Sequence, residues 1–156
     1  MIIIGYPGVG KTSLAGRYRQ YIDLESSHFN DAFGLKPDGW FIPYCKVAED
    51  LSEQGYRVFV SCHKEVQEYF SKSNEYVIVL YPTIELKEQW LDRVKKRFDN
   101  DPSMKNKKAM ENVEKYWDMQ INSLRNSPFE NKLELKDMNY TLDNEIDNYL
   151  MEDYNL

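Results

Sequence analysis

The sequence predicts an α/β fold, a three-layer, doubly wound parallel sheet of about five strands in a single domain. Three observations predict it. Apolar, β-branched runs recur at Ile2–Ile4, Arg57–Cys62 and Glu75–Tyr81, the pattern of strands buried on both faces. Each run is followed by a segment with apolar residues at helical spacing, and strands alternating with helices imply right-handed crossovers in a parallel sheet. A glycine-rich turn in Met1–Ser13, MIIIGYPGVGKTS, joins the first strand to the first helix at the sheet edge where open α/β folds bind ligands. At 156 residues the chain suits one domain, with a lid or insert expected around 84–126.

That turn carries the clearest chemistry. Gly5-Tyr6-Pro7-Gly8-Val9-Gly10-Lys11-Thr12 fits G-x-x-x-x-G-K-T, a phosphate-binding loop. Backbone N–H groups wrap phosphate oxygens only where the chain turns tightly and no Cβ intrudes, which glycine at positions 5, 8 and 10 permits. Lys11 adds a charge against the β- and γ-phosphates. Thr12, at a helix start, is placed to ligate a bridging magnesium ion. The predicted nucleotide-binding residues are Gly5, Gly8, Val9, Gly10, Lys11, Thr12 and Ser13.

The first helix is expected over Lys11–Gln20, and Tyr21–Leu24 reads as a short strand ending in acids. Asp23 and Glu25 are two residues apart and so share a face of an extended strand. Asp23 is the candidate second metal ligand and a catalytic candidate, holding a magnesium-bound water or orienting a substrate hydroxyl or phosphate; Glu25 is a candidate for the acceptor substrate; the alternative for both is a solvated turn. His28–Gly39 is irregular, and with Trp40 it supplies Phe29, Phe33 and Trp40, rings that either wall the acceptor's base or anchor the loop. Trp40–Gln54 has helical spacing and is followed by Gly55, a C-cap residue. The Arg57–Cys62 strand runs into His63, a phosphate contact or a capping residue.

Lys64–Ser71 is amphipathic, and Pro82 stops the strand at Glu75–Tyr81. Thr83 is expected to cap a helix over Ile84–Phe98. On it Arg93 and Arg97 lie one turn apart, a pair of guanidinium forks suited to clamping a migrating phosphoryl group. Asp99–Lys108 is polar and predicts an exposed, lid-like hinge. Asn112–Arg125 predicts another helix, Lys132–Asp137 a last strand, and Thr141 the cap of a helix over Leu142–Met151.

A net charge of −6 argues against general nucleic-acid or anionic-membrane binding and points to small-molecule partners. Two cysteines, Cys45 and Cys62, in segments of regular structure read as small buried hydrophobes. With no secretory signal or apolar span in sight, the expected compartment is the cytoplasm.

Four blocks, GYPGVGKT, YIDLESSHF, KVAEDLSEQGYRVFVSCHKEV and YPTIELKEQWLDRVKKR, together resemble the small P-loop nucleotide kinases carried by phages of Gram-positive bacteria, adenylate or nucleoside-monophosphate kinase-like, over most of the chain up to about Arg125. The resemblance implies a cytoplasmic transferase that moves the γ-phosphoryl group of ATP, with Mg2+, to a small acceptor such as a nucleoside monophosphate. It implies that Gly8, Gly10, Lys11 and Thr12 bind phosphates and metal, that Asp23 sits by metal or acceptor, and that Arg93 and Arg97 belong to a lid. The chain differs from such kinases in having no acid after the Val58–Cys62 strand, so the metal's acidic partner is expected at Asp23. The alternative is a nucleotide-binding regulatory or interaction module with little or no turnover.

Overall fold

Four residues, Ile2–Gly5, form β1, and all are buried, which is why the run is apolar throughout instead of alternating. In a computed structural model describing residues 1–154, β1 pairs in parallel with β3 (Arg57–Val60) and with β4 (Val77–Pro82), Ile3 standing opposite Phe59 and Ile78. β2 (Tyr21–Asp23) pairs in parallel with β3, Asp23 opposite Phe59. With β5 (Asn131–Leu135) the sheet has five strands in the order β2-β3-β1-β4-β5.

Helices fill the connections: α1 (Lys11–Arg17), α2 (Phe41–Glu53), α3 (Lys64–Ser71), α4 (Lys87–Asn100), α5 (Met104–Arg125) and, after β5, α6 (Leu142–Tyr154). The chain leaves β1 toward one edge of the sheet and makes every later crossover toward the other. Right-handed crossovers then call for α1 and α2 on opposite faces, the arrangement of a doubly wound α/β fold. The reversal lies between β1 and β3, whose carboxyl ends carry the glycine-rich loop and Ser61–His63.

The residues group into two compact units. The first holds Met1–Tyr6, Gly10–Leu80 and Pro128–Lys132. Its core is Ile2, Ile3, Ile4, Tyr44, Phe59 and Val66, all fully enclosed. The second holds Pro7–Val9, Tyr81–Ser127 and the stretch from Leu133 on. Its core is built on Trp90 and Trp117, whose rings lie 6.4 Å apart, and the Trp117 indole N–H donates to Ile84 O at 2.9 Å.

Several element ends differ from the sequence reading. α1 stops at Arg17, where Tyr18 is already extended; Gly16, a poor helix former, sits just before the stop. Thr83 does not cap with its side chain: its hydroxyl donates to the Glu85 carboxylate, and a 3₁₀ turn at Ile84–Leu86 leads into α4. The polar stretch expected as a hinge is mostly helix. Only Asp101–Ser103 separates α4 from α5, because Ser103 Oγ accepts from Asn106 N at 3.2 Å as an N-cap and the Asn106 side-chain amide donates to Asp101 O at 2.8 Å. Asn106 is buried, and Ala109 and Val113 continue its stripe along α5.

Cys45 lies fully buried on α2, and burial, with a lesser push from Glu49, moves its thiol from 9.0 up to about 12. Between those values the unfolded chain binds fewer protons than the folded one, so stability falls as pH rises from about 9 toward 12. The expected slope from this group is at most about 1.4 kcal/mol per pH unit. Urea midpoints at two alkaline pH values should therefore drop more steeply for the wild type than for Cys45→Ala.

Candidate functional site

The glycine-rich loop is shaped by its carbonyls. In the second unit, Pro7 O accepts from Trp90 Nε1 at 2.8 Å, Gly8 O from Arg93 Nη1 at 3.1 Å, and Val9 O from the Tyr140 hydroxyl at 2.9 Å. Gly8 at φ +91° and Gly10 at φ +109° occupy the left-handed region that this turn requires. The peptide bonds are all trans, so each N–H points away from the carbonyl of its own peptide unit. The N–H groups of Gly8, Val9 and Gly10 therefore face away from Trp90, Arg93 and Tyr140. None of the three donates to an acceptor among the described residues. Three consecutive backbone donors are thus left without a protein partner.

The first unit supplies the residues that follow. Gly10 caps α1, and the Lys11 ammonium donates to Gly5 O at 3.0 Å, folding back over the loop's start. Thr12 Oγ1 donates to Asp23 Oδ2 at 2.7 Å. Ser13, exposed, accepts from Arg17 at 3.3 Å. The Thr12 hydroxyl and Asp23 carboxylate are two hard oxygens in contact beside Lys11. Such a pair fits magnesium, which takes one or two protein oxygens and fills its remaining positions with phosphate oxygens and water. Among the described residues no cluster of three or more His, Cys, Asp or Glu side chains is assembled, so a cation here would be held by this pair and by the ligand's own oxygens.

The carboxyl ends of β2 and β3 are tied together by a residue that the sequence reading did not single out. The Tyr44 hydroxyl, on α2, donates to Leu24 O at 2.7 Å and accepts from Ser61 N at 2.9 Å. A fully buried tyrosine must find partners for its hydroxyl, and that rule was the only signal available in advance. Tyr44→Phe leaves both backbone groups unpaired and is expected to cost about 1–3 kcal/mol, read as a lower urea midpoint.

Around Tyr44 the expected acceptor wall divides. Phe29 packs edge-on against Tyr44 at 5.3 Å, and Trp40 is buried between Tyr44 at 5.4 Å and His63 at 5.0 Å, with the Lys36 ammonium 5.1 Å above its ring. Both rings anchor the loop. Phe33 is 88% exposed, on a turn held by Asp31 Oδ1, which accepts from Phe33 N and Leu35 N. Its face is open to stacking. Glu25 is half-buried and opens a 3₁₀ turn over Ser26–Phe29. At the end of β3, His63 Nδ1 lies 2.7 Å from Ser61 Oγ. Cys62 is half-buried as a residue but its thiol is turned inward, and burial of that thiol holds it above the ordinary range while the Lys11 ammonium pulls the other way.

Arg93 and Arg97 share a face of α4, as their spacing predicts, but they are not a pair of free forks. The Arg93 guanidinium bonds Gly8 O and the Tyr140 hydroxyl, the latter at 2.7 Å, and stacks on Trp90 at 4.6 Å. It is engaged on the carbonyl side of the loop. Arg97 is half-buried and lines, with Arg93, Asp92 and Lys96, an open cavity of about 810 Å³. No helix among the described residues is long and apolar enough to cross a membrane. The chain matches no family model and no curated protein.

Proposed function

We propose that the chain is a small P-loop kinase that binds ATP with Mg2+ and transfers the γ-phosphoryl group to a small acceptor, a nucleoside monophosphate, in the cytoplasm. The observation that carries this reading is the row of N–H groups at Gly8, Val9 and Gly10, unpartnered in the protein and followed at once by Lys11 and the Thr12–Asp23 pair.

Phosphoryl transfer asks a protein for positioning and charge stabilisation more than for covalent chemistry. The N–H row and Lys11 would hold the β- and γ-phosphate oxygens. Magnesium, held by Thr12 and Asp23, would neutralise charge on the bridging and terminal oxygens. An acceptor oxygen bonds to the γ-phosphorus as the bond to the β–γ bridging oxygen breaks, and ADP leaves with that electron pair. Phe33 is the proposed stacking face for the acceptor's base, and Glu25 the proposed contact to its hydroxyls.

The test is ADP formation with ATP, Mg2+ and each of a panel of nucleoside monophosphates. ADP that appears in step with a phosphorylated acceptor is the expected result; tight ATP binding with no acceptor-dependent ADP across the panel contradicts transfer. That outcome favours a second reading, a nucleotide-binding regulatory module without turnover. Ser61 and His63 at the end of β3, where an acid would polarise an attacking water or a metal ligand, support it.

A further inference from the structure

We infer that Trp90, Arg93 and Tyr140 form a brace that sets the donor strength of the phosphate-binding loop, so that Arg93 is a positioning residue acting through the Gly8 peptide and not a catalytic one. The inference rests on the nucleotide-binding reading given above. Three successive carbonyls, Pro7, Gly8 and Val9, are each held by a different side chain, at 2.8, 3.1 and 2.9 Å. Arg93 and Tyr140 are themselves bonded at 2.7 Å, and the Arg93 guanidinium lies 5.4 Å from the Tyr140 ring and 4.6 Å from the Trp90 ring. The three side chains are therefore one unit, and the middle member is charged.

Two consequences follow from a brace on that side. It fixes the plane of each peptide, which holds the N–H groups of Gly8, Val9 and Gly10 aimed the opposite way before any ligand arrives, and so lowers the ordering cost of binding. It also polarises those peptides. A cation bonded to Gly8 O draws electron density through the amide and makes the Val9 N–H a stronger donor, the cooperativity of linked hydrogen bonds. The Tyr140 hydroxyl acts likewise on the Gly10 N–H through Val9 O, and burial, which raises its phenol's pKa, keeps it protonated and able to donate. Tyr140 lies 131 residues from Val9, which puts a late part of the chain in control of its first loop.

The test compares wild type with Arg93→Met and Tyr140→Phe, titrating Mg·ATP and inorganic pyrophosphate by calorimetry and measuring kcat and KM. Arg93→Met should weaken both ligands by about 10- to 100-fold and Tyr140→Phe by about 3- to 10-fold. In each variant the two ligands should lose the same factor, because only the loop has changed, and KM should rise more than kcat falls. Tyr140→Phe removes one hydroxyl, so it decides the matter if Arg93→Met does not fold. Variants that bind both ligands as tightly as wild type overturn the brace. So does a loss confined to kcat in Arg93→Met, which would put that guanidinium on the transferring group. A wild type that binds neither ligand overturns the nucleotide reading itself, and the brace with it.

Discussion

Lys11→Ala is expected to lower kcat/KM for ATP by about 10²- to 10³-fold while leaving the chain folded. The ammonium donates to Gly5 O at 3.0 Å at the start of the loop, and it sits beside Cys62 closely enough to oppose the rise of that thiol. A preorganised cation aimed at developing charge is worth about that factor when removed. The loss of its hydrogen bond to Gly5 O by itself should cost about 1 kcal/mol of stability. Coupled ADP assays and urea unfolding on the same preparation separate the two effects. An activity that survives the substitution would remove Lys11 from the chemistry.

Gly8→Ala is expected to act differently, damaging stability and binding together. The backbone at Gly8 has φ +91°, where a Cβ is strained, and that Cβ would stand 2.9 Å from Trp90 Nε1 and 3.5 Å from Val94 Cγ1. Trp90 has little room to retreat, since it is fully enclosed and its indole N–H is bonded to Pro7 O. Left-handed strain of about 1–2 kcal/mol and overpacking of about 1–3 kcal/mol should add to a loss of roughly 2–5 kcal/mol. If the loop shifts to relieve the clash, the Gly8–Gly10 N–H groups lose their alignment and ATP affinity falls with it. Thermal melting with and without Mg·ATP reads both, and a variant as stable and as ligand-responsive as wild type would contradict the packing described for Gly8.

The glycine loop and the buried strands were legible because the physics behind them is local. A run such as Ile2-Ile3-Ile4 has few other places to go than a strand covered on both faces, and glycines spaced as at 5, 8 and 10 answer a backbone requirement visible in the residues themselves. Asp23 beside Thr12 was also within reach, since a short first helix returns the chain to the strand next to β3. The start of α5 was hidden by composition. Met104–Lys108 is so polar that it reads as loop, and only the stripe through Asn106, Ala109 and Val113, seen backward from Trp117, shows the helix beginning at Met104 after its cap Ser103.

What could not be read were partners set by tertiary contact. Arg93 was identified as a residue associated with phosphate chemistry, yet nothing in its spacing to Arg97 says that it bonds a carbonyl of the loop in place of a phosphate. Tyr44 and Tyr140 carry no motif at all. Their hydroxyls meet backbone groups 17 to 131 residues away, and such pairings are decided by how elements pack rather than by the residues around them.

The most direct measurement is the amide spectrum of 15N-labelled protein titrated with Mg·ATP. The Gly8, Val9 and Gly10 amide protons should move strongly downfield as they take up phosphate oxygens, and inorganic pyrophosphate should reproduce the shifts. A titration in which these three amides stay in place, whether or not others move, would contradict the proposed binding of phosphate by this loop.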